Sequence, residues 1–342
     1  MKIALRADAS IDIGTGHVMR CLALADRLRE QGDTTRFLCR PLAGHLGEAI
    51  RAHGHELIWV EADHPQEDAR TSLTALQDNA PWDWLVVDHY GLDAAWEQAL
   101  RAVAKRILVI DDLADRPHDC DLLLDQNFHP QPSERYAGLV PAGCELLLGP
   151  RYALLRPQFA QARQRLRTRS GEVRRLLICF GGSDPQGATR LALEAVRRLD
   201  RPDLMVDVVV GAANPHRAAI EAACQGLPQA RLHYAVEDMA ALMSAADLFI
   251  GSGGSITWER CCLGLPGVVL ACADNQVAMA EALQRAGAQA YLGKASEVSV
   301  HEWLQALRGF MQHPDSLQGM SERGLGLVDG CGVGRVIEAL TA

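Results

Sequence analysis

A glycine-rich segment near the amino terminus has the residue types to position a general base. It covers residues 12–17 (DIGTGH) and leads directly into the first predicted helix. Gly14 and Gly16 let a ligand approach the backbone, and His17 begins the helix. The positive end of a helix dipole disfavours an imidazolium, so we expect His17 to be neutral and able to accept a proton. The spacing is equally compatible with a histidine that caps the helix or packs under the loop.

The same segment gives little support to a dinucleotide cofactor. Position 19 is Met where the G-x-G-x-x-G fingerprint requires its third glycine, and no acidic residue follows at a distance suited to a ribose. No other segment suggests a bound cofactor, and none is predicted.

A second glycine-rich segment covers residues 180–185 (FGGSDP), after the first strand predicted in the second half of the chain. Gly182 and Ser183 lie at the carboxyl end of that strand, where backbone N–H groups can bind an anion. The alternative is a loop whose Asp184 caps the next helix, with Pro185 at its first position. The sequence favours the anion site and leaves the capping loop open.

The third glycine-rich segment, residues 251–259 (GSGGSITWE), is the most informative. It follows a predicted strand and opens a helix, so the N–H groups of Gly254 and Ser255 could cradle a pyrophosphate. Glu259 lies one turn into the helix, and its carboxylate could accept hydrogen bonds from both hydroxyls of a ribose. A surface glutamate without a ligand is the alternative.

Side chains in several other loops could also contact a ligand. Asn275 and Gln276 open a later helix, and their amides could recognise hydroxyl or acetamido groups of a sugar. Asp88 and the pair Asp111-Asp112 end predicted strands, where ligands of open α/β sheets bind. None of these carboxylates has further oxygen ligands at a suitable spacing. We therefore predict substrate contact or loop capping there, and no metal site.

Composition narrows the class of protein. The chain has 342 residues, enough for about two domains, with 48% hydrophobic and 23% charged residues. A net charge of −9 argues against a protein that holds nucleic acid or an anionic membrane through its overall field. Its ten cysteines include no C-x-x-C, and no signal peptide or membrane span is apparent. We expect a cytoplasmic protein with reduced thiols.

Strand and helix patterns alternate along both halves, which predicts parallel, doubly wound sheets. Helix 17–30 is the clearest, and residues 158–175 are rich in Arg and Gln without a buried-strand pattern. We predict two Rossmann-like domains facing across a cleft, residues 1–157 and 176–342, joined by a linker at 158–175. The strands are expected at 2–6, 34–39, 56–60, 84–88, 106–110 and 144–148, then at 176–180, 205–210, 230–234, 247–250 and 267–271.

Taken together, the motifs resemble one family over nearly the whole chain: the UDP-2,4-diacetamido-2,4,6-trideoxy-β-L-altropyranose hydrolases of pseudaminic acid biosynthesis, which are similar in fold to MurG-type glycosyltransferases. The order and spacing of the motifs carry the resemblance. The motifs are Arg6-x-Asp8, Gly14-x-Gly16-His17, Val87-Asp88-x-Tyr90, Ile110-Asp111-Asp112, the run Gly149 to Arg156, Phe180 to Asp184, Gly253-Gly254-Ser255 with Glu259, and Asn275-Gln276.

The resemblance implies a GT-B fold with UDP held mainly by the carboxyl-terminal domain. It implies that water, activated by His17, attacks the anomeric carbon and releases UDP and the free sugar with inversion. From the net charge and the absence of a metal-ligand set in the sequence, we expect the enzyme to need no metal, nucleic acid or membrane. The substrate-binding residues it suggests are Asp8, Gly14, Gly16, Arg20, Tyr90, Tyr152, Gly182, Ser183, Gly254, Ser255, Glu259, Asn275 and Gln276.

Three other functions share parts of this pattern. A glycosyltransferase would use the same UDP site with an acceptor hydroxyl in place of water. A hydrolysing UDP-N-acetylglucosamine 2-epimerase would need acidic groups near C2 of the sugar, and the sequence assigns none. A non-catalytic sensor of nucleotide sugars would need the UDP contacts but not His17.

Overall fold

The computed structural model describes residues 1–211, 214–234 and 236–342, and the chain forms two compact units. The first unit contains Met1–Arg156 together with Cys331–Ala342, and the second contains Pro157–Gly330. Among the described residues, no helix combines the length and the apolar character that crossing a bilayer requires.

The first unit is built on a parallel sheet with the strand order β3-β2-β1-β4-β5-β6-β7. Its central strands are buried apolar runs, as expected where helices cover both faces of a parallel sheet. The strands are β1 (Lys2–Ala7), β2 (Thr34–Cys39), β3 (Glu56–Trp59), β4 (Trp82–Asp88), β5 (Ala104–Ile110), β6 (Leu122–Asp125) and β7 (Glu145–Leu148), and the helices are α1 (Gly16–Glu30), α2 (Gly47–Ala52), α3 (Pro65–Leu76) and α4 (Ala94–Leu100).

The second unit repeats this plan with a parallel sheet in the order β10-β9-β8-β11-β12-β13. Its strands are β8 (Arg175–Cys179), β9 (Met205–Val210), β10 (Ala230–Tyr234), β11 (Leu248–Ser252), β12 (Gly267–Ala271) and β13 (Ala290–Lys294). Its helices are α5 (Pro157–Arg163), α6 (Ala188–Leu199), α7 (Arg217–Gln225), α8 (Met239–Ala245), α9 (Ile256–Cys262), α10 (Val277–Arg285), α11 (Val300–Gln312) and α12 (Pro314–Leu327).

The doubly wound fold class predicted from the alternating pattern is confirmed. Each predicted strand is present within about two residues of its expected bounds, and helix α1 buries the predicted stripe from Val18 to Leu28. Two further strands, β6 and β13, were not predicted. Strand β6 has only four residues in an Asp-rich segment, and β13 is a half-buried edge strand that contains Gly293.

The prediction that the second domain extends to residue 342 is wrong. The final helix, α13 (Gly332–Thr341), packs on the core of the first unit through Val336, Ile337 and Leu340. The indole Nε1 of Trp84 donates a hydrogen bond of 2.9 Å to the carbonyl of Leu340. Because an amphipathic helix shows only that it must bury one face, its sequence did not reveal which sheet it covers.

The segment 158–175 is also more than a linker, because it contains α5 and is tied to the second unit by arginines. Arg163 donates to the carbonyl of Cys262, and Arg167 pairs with Asp247. Arg169 is only 6% exposed, and its guanidinium donates to four backbone carbonyls. Those acceptors belong to Met243, Ala246, Leu263 and Gly264. These contacts fix the carboxyl end of α9, the helix that begins after the third glycine-rich segment.

We expect Arg169→Met to lower the free energy of unfolding of the second unit by about 2–4 kcal/mol, because buried carbonyls would lose their donors. Urea unfolding followed by circular dichroism should show a lower midpoint with an unchanged slope. Arg174→Met is the matched control, since the Arg174 side chain is 74% exposed and should change the midpoint little. Equal midpoints for the two variants would contradict a stabilising role for Arg169.

Candidate active site

The loop before α1 has a fixed backbone that presents His17. Gly14 has φ +82°, and its N–H donates to the carbonyl of Ser10 at 2.9 Å, closing a tight turn. The Ser10 hydroxyl accepts hydrogen bonds from the N–H groups of Asp12 and Ile13. A side chain at position 14 would be strained in this conformation, so the glycine is needed for the turn itself.

His17 forms a close pair with Asp88 at the carboxyl end of β4. The Nδ1 atom of His17 lies 2.6 Å from Oδ1 of Asp88, and the two residues are 8% and 1% exposed. Burial by itself would raise the pKa of Asp88, but the charge of Arg20 and the contacts with His17 hold it well below its usual range. Asp88 is therefore an ionised carboxylate.

The charge of Asp88 determines which nitrogen of His17 carries the proton. An ionised carboxylate can only accept hydrogen bonds, so a contact of 2.6 Å requires the hydrogen on Nδ1. The lone pair of the neutral ring is then on Nε2. This is the arrangement of an oriented general base, in which a carboxylate fixes both the ring and its tautomer.

Arg20, predicted to bind substrate, commits two of its donors to Asp88. Its Nε lies 2.6 Å from one carboxylate oxygen and its Nη2 lies 2.6 Å from the other. The remaining terminal nitrogen, Nη1, lies 3.9 Å from Oδ2 of Asp112. The charge of Arg20 therefore compensates the buried carboxylate of Asp88.

Tyr90, which the resemblance suggests as a substrate contact, lies beside His17. The two ring centroids are 4.7 Å apart with an edge-to-face angle of 85°. The Tyr90 hydroxyl hydrogen-bonds to the Asp112 carboxylate, and burial together with that neighbour raises the pKa of the phenol. In the described residues, the exposed large hydrophobic side chains are Tyr90, Ile11 and Ile13, all on loops near His17 in the sequence or in contact with it.

Asp8 is buried at 2% exposure, and its carboxylate is surrounded by donors from the protein itself. Arg6 donates from both terminal nitrogens, Arg40 from its backbone and its Nε, and His89 contacts Oδ2 at 3.2 Å. Burial opposes ionisation, but His89 and Arg6 hold the pKa of Asp8 well below its usual range. Through these contacts Asp8 links the carboxyl ends of β1, β2 and β4.

Tyr152, another predicted substrate contact, lies in a short 3₁₀ helix, Pro150–Tyr152. Its ring packs against the core of the first unit and lies 5.0 Å from the guanidinium of Arg151. The contacts of Tyr152 connect it to the core rather than to the pair of His17 and Asp88.

In the second unit, Gly182 and Ser183 follow β8 in a loop of close backbone contacts. A Cβ at Gly211 would lie 2.0 Å from the carbonyl oxygen of Gly182, so the loops after β8 and β9 touch through backbone alone. Asp184 accepts hydrogen bonds from the N–H groups of Ala188 and Thr189. Asp184 therefore caps the amino end of α6, as the alternative required, but the helix begins at Ala188, so Pro185 is not at its first position.

Gly254, Ser255 and Gln276 lie at one end of the second sheet. The first turn of α9 is closed by a hydrogen bond from the N–H of Thr257 to the carbonyl of Gly254. The N–H groups that precede Thr257 therefore lie at the amino end of the helix, where they can bind a ligand. A Cβ at Gly254 would lie 3.3 Å from Nε2 of Gln276, and Oε1 of Gln276 accepts from the N–H of Cys272. The structure therefore brings the amide of Gln276 beside the glycine-rich turn.

Glu259 belongs to the same end of the sheet. Burial raises the pKa of the Cys179 thiol, at the end of β8, to about 11, and the negative charges of Glu259 and Asp184 add to this effect. Glu259 is half-buried in α9, while Asn275 is exposed in the 3₁₀ turn before α10. In the described parts of the chain, no group of three or more His, Cys, Asp or Glu side chains could hold a metal ion.

Sequence reasoning identified His17 but missed its partner. Asp88 and His17 are 71 residues apart, and the motif around Asp88 predicted only a ligand contact or a cap. The signal that was present is topological: the first and fourth strands are neighbours in the sheet, so their carboxyl ends meet. Asp112, at the end of β5, reaches the same place for the same reason.

The fold places the chain in the GT-B class. MurG from Acinetobacter baumannii is similar in structure with a TM-score of 0.70 and 15% identity, and the match covers 100% of this chain and 99% of that one. At this identity the likeness establishes the fold, with its two doubly wound units, and not the activity.

The curated proteins of similar sequence include two that the match covers over nearly their whole length. One is a UDP-2,4-diacetamido-2,4,6-trideoxy-β-L-altropyranose hydrolase of Campylobacter jejuni, 29% identical over 84% of this chain and 97% of that protein. The other is the spore coat polysaccharide biosynthesis protein SpsG of Bacillus subtilis, 26% identical over 99% of this chain and 98% of that protein. The resemblance that the motifs suggested is confirmed. No protein-family model matches the chain.

Proposed function

We propose that this protein hydrolyses UDP-2,4-diacetamido-2,4,6-trideoxy-β-L-altropyranose to UDP and the free sugar, in the biosynthesis of pseudaminic acid. The observation that carries the proposal is the pair of His17 and ionised Asp88, which leaves Nε2 of His17 ready to accept a proton. Similarity to the Campylobacter hydrolase supports the choice of a UDP-sugar as substrate and of water as its partner.

In the proposed reaction, Nε2 of His17 takes a proton from water as the water oxygen attacks the anomeric carbon. The bond between that carbon and the diphosphate oxygen breaks, and UDP leaves with the electron pair. Attack from the face opposite the leaving group inverts the anomeric centre. Asp88 stabilises the imidazolium that forms on His17, because its carboxylate already accepts the hydrogen on Nδ1.

UDP is assigned to the second unit. Gly254 and Ser255 would donate backbone N–H groups to the diphosphate, aided by the loop that holds Gly182 and Ser183. Glu259 would accept hydrogen bonds from the ribose. Asn275 and Gln276 would donate to the sugar or to the diphosphate. In this arrangement backbone donors replace a metal in stabilising the leaving group.

The test is release of UDP from the nucleotide sugar with water as the only other reactant. We expect equal amounts of UDP and free sugar, formed at the same rate with and without EDTA. UDP formed only when an acceptor alcohol is present would indicate a transferase. Binding of the UDP-sugar without turnover would indicate a sensor, and either result would overturn the proposal. A rate lost with EDTA and restored by Mg²⁺ would overturn its metal-independent form.

We expect Glu259→Ala to weaken UDP binding by about 1–3 kcal/mol, the scale of charge-assisted hydrogen bonds lost from the ribose. Titration calorimetry with UDP measures this directly. Glu281→Ala is the matched control, because Glu281 is a half-exposed glutamate on α10 that pairs only with its helix neighbour Arg285 among the ion pairs of the described chain. Unchanged UDP affinity in Glu259→Ala would remove Glu259 from the ribose site.

A further inference from the structure

Five side chains of the first unit, including the candidate base His17, form a closed ring of contacts. His17 pairs with Asp88, Asp88 pairs with Arg20, and Nη1 of Arg20 lies 3.9 Å from Asp112. Asp112 accepts a hydrogen bond from the Tyr90 hydroxyl, and the Tyr90 ring returns to His17 at 4.7 Å. His17 and Asp88 act in the proposed reaction, Arg20 pairs with Asp88, and Tyr90 is a suggested substrate contact. Asp112 has no assigned role.

Asp112 is held firmly but incompletely compensated. Its side chain is 13% exposed, its Oδ2 accepts from Nδ2 of Asn127 at 3.2 Å, and its backbone carbonyl accepts from Arg135. Its Oδ1 is buried and has no hydrogen-bond partner among residues 1–211, 214–234 and 236–342. A carboxylate in this condition is stabilised by any positive charge that forms nearby.

Two other carboxylates at this edge of the sheet, Asp111 and Asp8, are paired with arginines. Asp111 lies 3.1 Å from Arg116, and Asp8 is compensated by Arg6 and Arg40. Three further groups lie beyond Asp112: Arg135, Asp125, whose burial raises its pKa to about 7, and His129, whose burial lowers its pKa to about 4. Arg20 itself faces two carboxylates, Asp88 and Asp112.

This arrangement gives the ring one excess negative charge while His17 is neutral. Arg20 contributes +1, and Asp88 and Asp112 contribute −1 each. When His17 accepts a proton, the ring becomes neutral. Without Asp112, Arg20 and Asp88 would cancel, and the imidazolium would be an uncompensated charge in a largely buried place.

We propose that Asp112 is a positioning residue for the hydrolysis: it holds Tyr90 against His17 and supplies the negative charge that favours proton transfer to His17. The inference rests on the proposed function. Asp112 acts through Tyr90 and Arg20, and it does not itself touch the attacking water.

Asp112→Asn tests the charge while keeping the size and an oxygen that can accept from Tyr90. We expect kcat/KM to fall about 10-fold with KM within about twofold, since the base and not the substrate contact is affected. Loss of a negative charge disfavours the imidazolium, so the acid limb of the kcat/KM profile should move to lower pH by about 0.5–1 unit. Asp115→Asn, an exposed aspartate on the same loop, is the control and should change neither quantity.

Tyr90→Phe separates the hydroxyl contact from the charge. It keeps the ring beside His17 but removes the hydrogen bond to Asp112, and we expect a loss in kcat of a few fold. In the double variant, the losses should be less than multiplicative, because both changes break the same contact. Multiplicative losses, or an acid limb of Asp112→Asn that coincides with that of the wild-type protein, would overturn the proposal.

The titration of the His17 ring by NMR distinguishes this inference from the proposed function. It needs no substrate, so it reports the coupling of Asp112 to His17 even in a protein that releases no UDP. A midpoint lowered in Asp112→Asn and unmoved in Asp115→Asn supports the inference. An unmoved midpoint in a folded Asp112→Asn protein overturns it, whatever the activity.

Discussion

We expect the replacement of His17 with glutamine to lower kcat by about 10²–10⁴-fold, the usual contribution of a general base, and to leave UDP affinity unchanged. Glutamine approximates the size of the ring and can hydrogen-bond to Asp88, but it cannot take a proton from water. The loss should therefore fall on kcat rather than KM. Initial rates of UDP release and titration calorimetry with UDP measure the two effects separately.

The dependence of wild-type activity on pH is a second test of the role of His17. Asp88 has a pKa well below its usual range, so it stays ionised while activity falls on the acid side. If His17 is the base, the slow reaction of His17→Gln should lack that limb. His301→Gln, at an exposed histidine of the second unit, is the control. Near-wild-type kcat in His17→Gln, or loss of UDP affinity alone, would make His17 a binding residue.

Replacing Asp88 with asparagine should lower kcat by a similar factor, about 10²–10⁴, although Asp88 does not touch the substrate. The asparagine amide can donate to Nδ1 of His17, which favours the tautomer with hydrogen on Nε2 and removes the lone pair from the reacting side. The buried guanidinium of Arg20 also loses its partner, so stability should decrease as well. Rates are therefore compared at a temperature where circular dichroism shows both proteins folded.

The double variant His17→Gln/Asp88→Asn separates the two explanations for the Asp88 effect. If Asp88 acts only by orienting His17, the double variant has the kcat of His17→Gln alone, because there is no base left to orient. If the losses multiply, Asp88 has a separate role in the reaction, and the assignment of Asp88 as the orienting partner is wrong.

The fold could be predicted from the sequence wherever local pattern determines structure. Short apolar runs that alternate with helical patterns predict the central strands, and the stripe from Val18 to Leu28 predicts α1. The local pattern of a helix or strand does not determine which other element it packs against. Helix α13 is amphipathic, but only its contact with Trp84 shows that it covers the first sheet. Arg169 is charged and flanked by polar residues, yet the structure buries it against carbonyls at the ends of two helices, α8 and α9.

The same distinction between local pattern and tertiary contacts applies to the candidate site. His17, Gly14 and the glycine-rich turns could be found because a tight turn before a helix has a local signature. The contacts of His17 with Asp88, and of Asp112 with Tyr90, depend on which strand ends lie together, and that is a property of the sheet order. For Asp8, the family resemblance implied a substrate contact, and only the structure reveals the protein donors around its carboxylate.

Hydrolysis in water enriched in ¹⁸O tests the central claim most directly, because it reports which bond breaks. If water activated by His17 attacks the anomeric carbon, UDP leaves with its original bridging oxygen and contains no ¹⁸O by mass spectrometry. The label enters the free sugar, sampled before its anomeric oxygen exchanges with solvent. Label in the terminal phosphate of UDP would mean that water attacks phosphorus, and it would contradict the account.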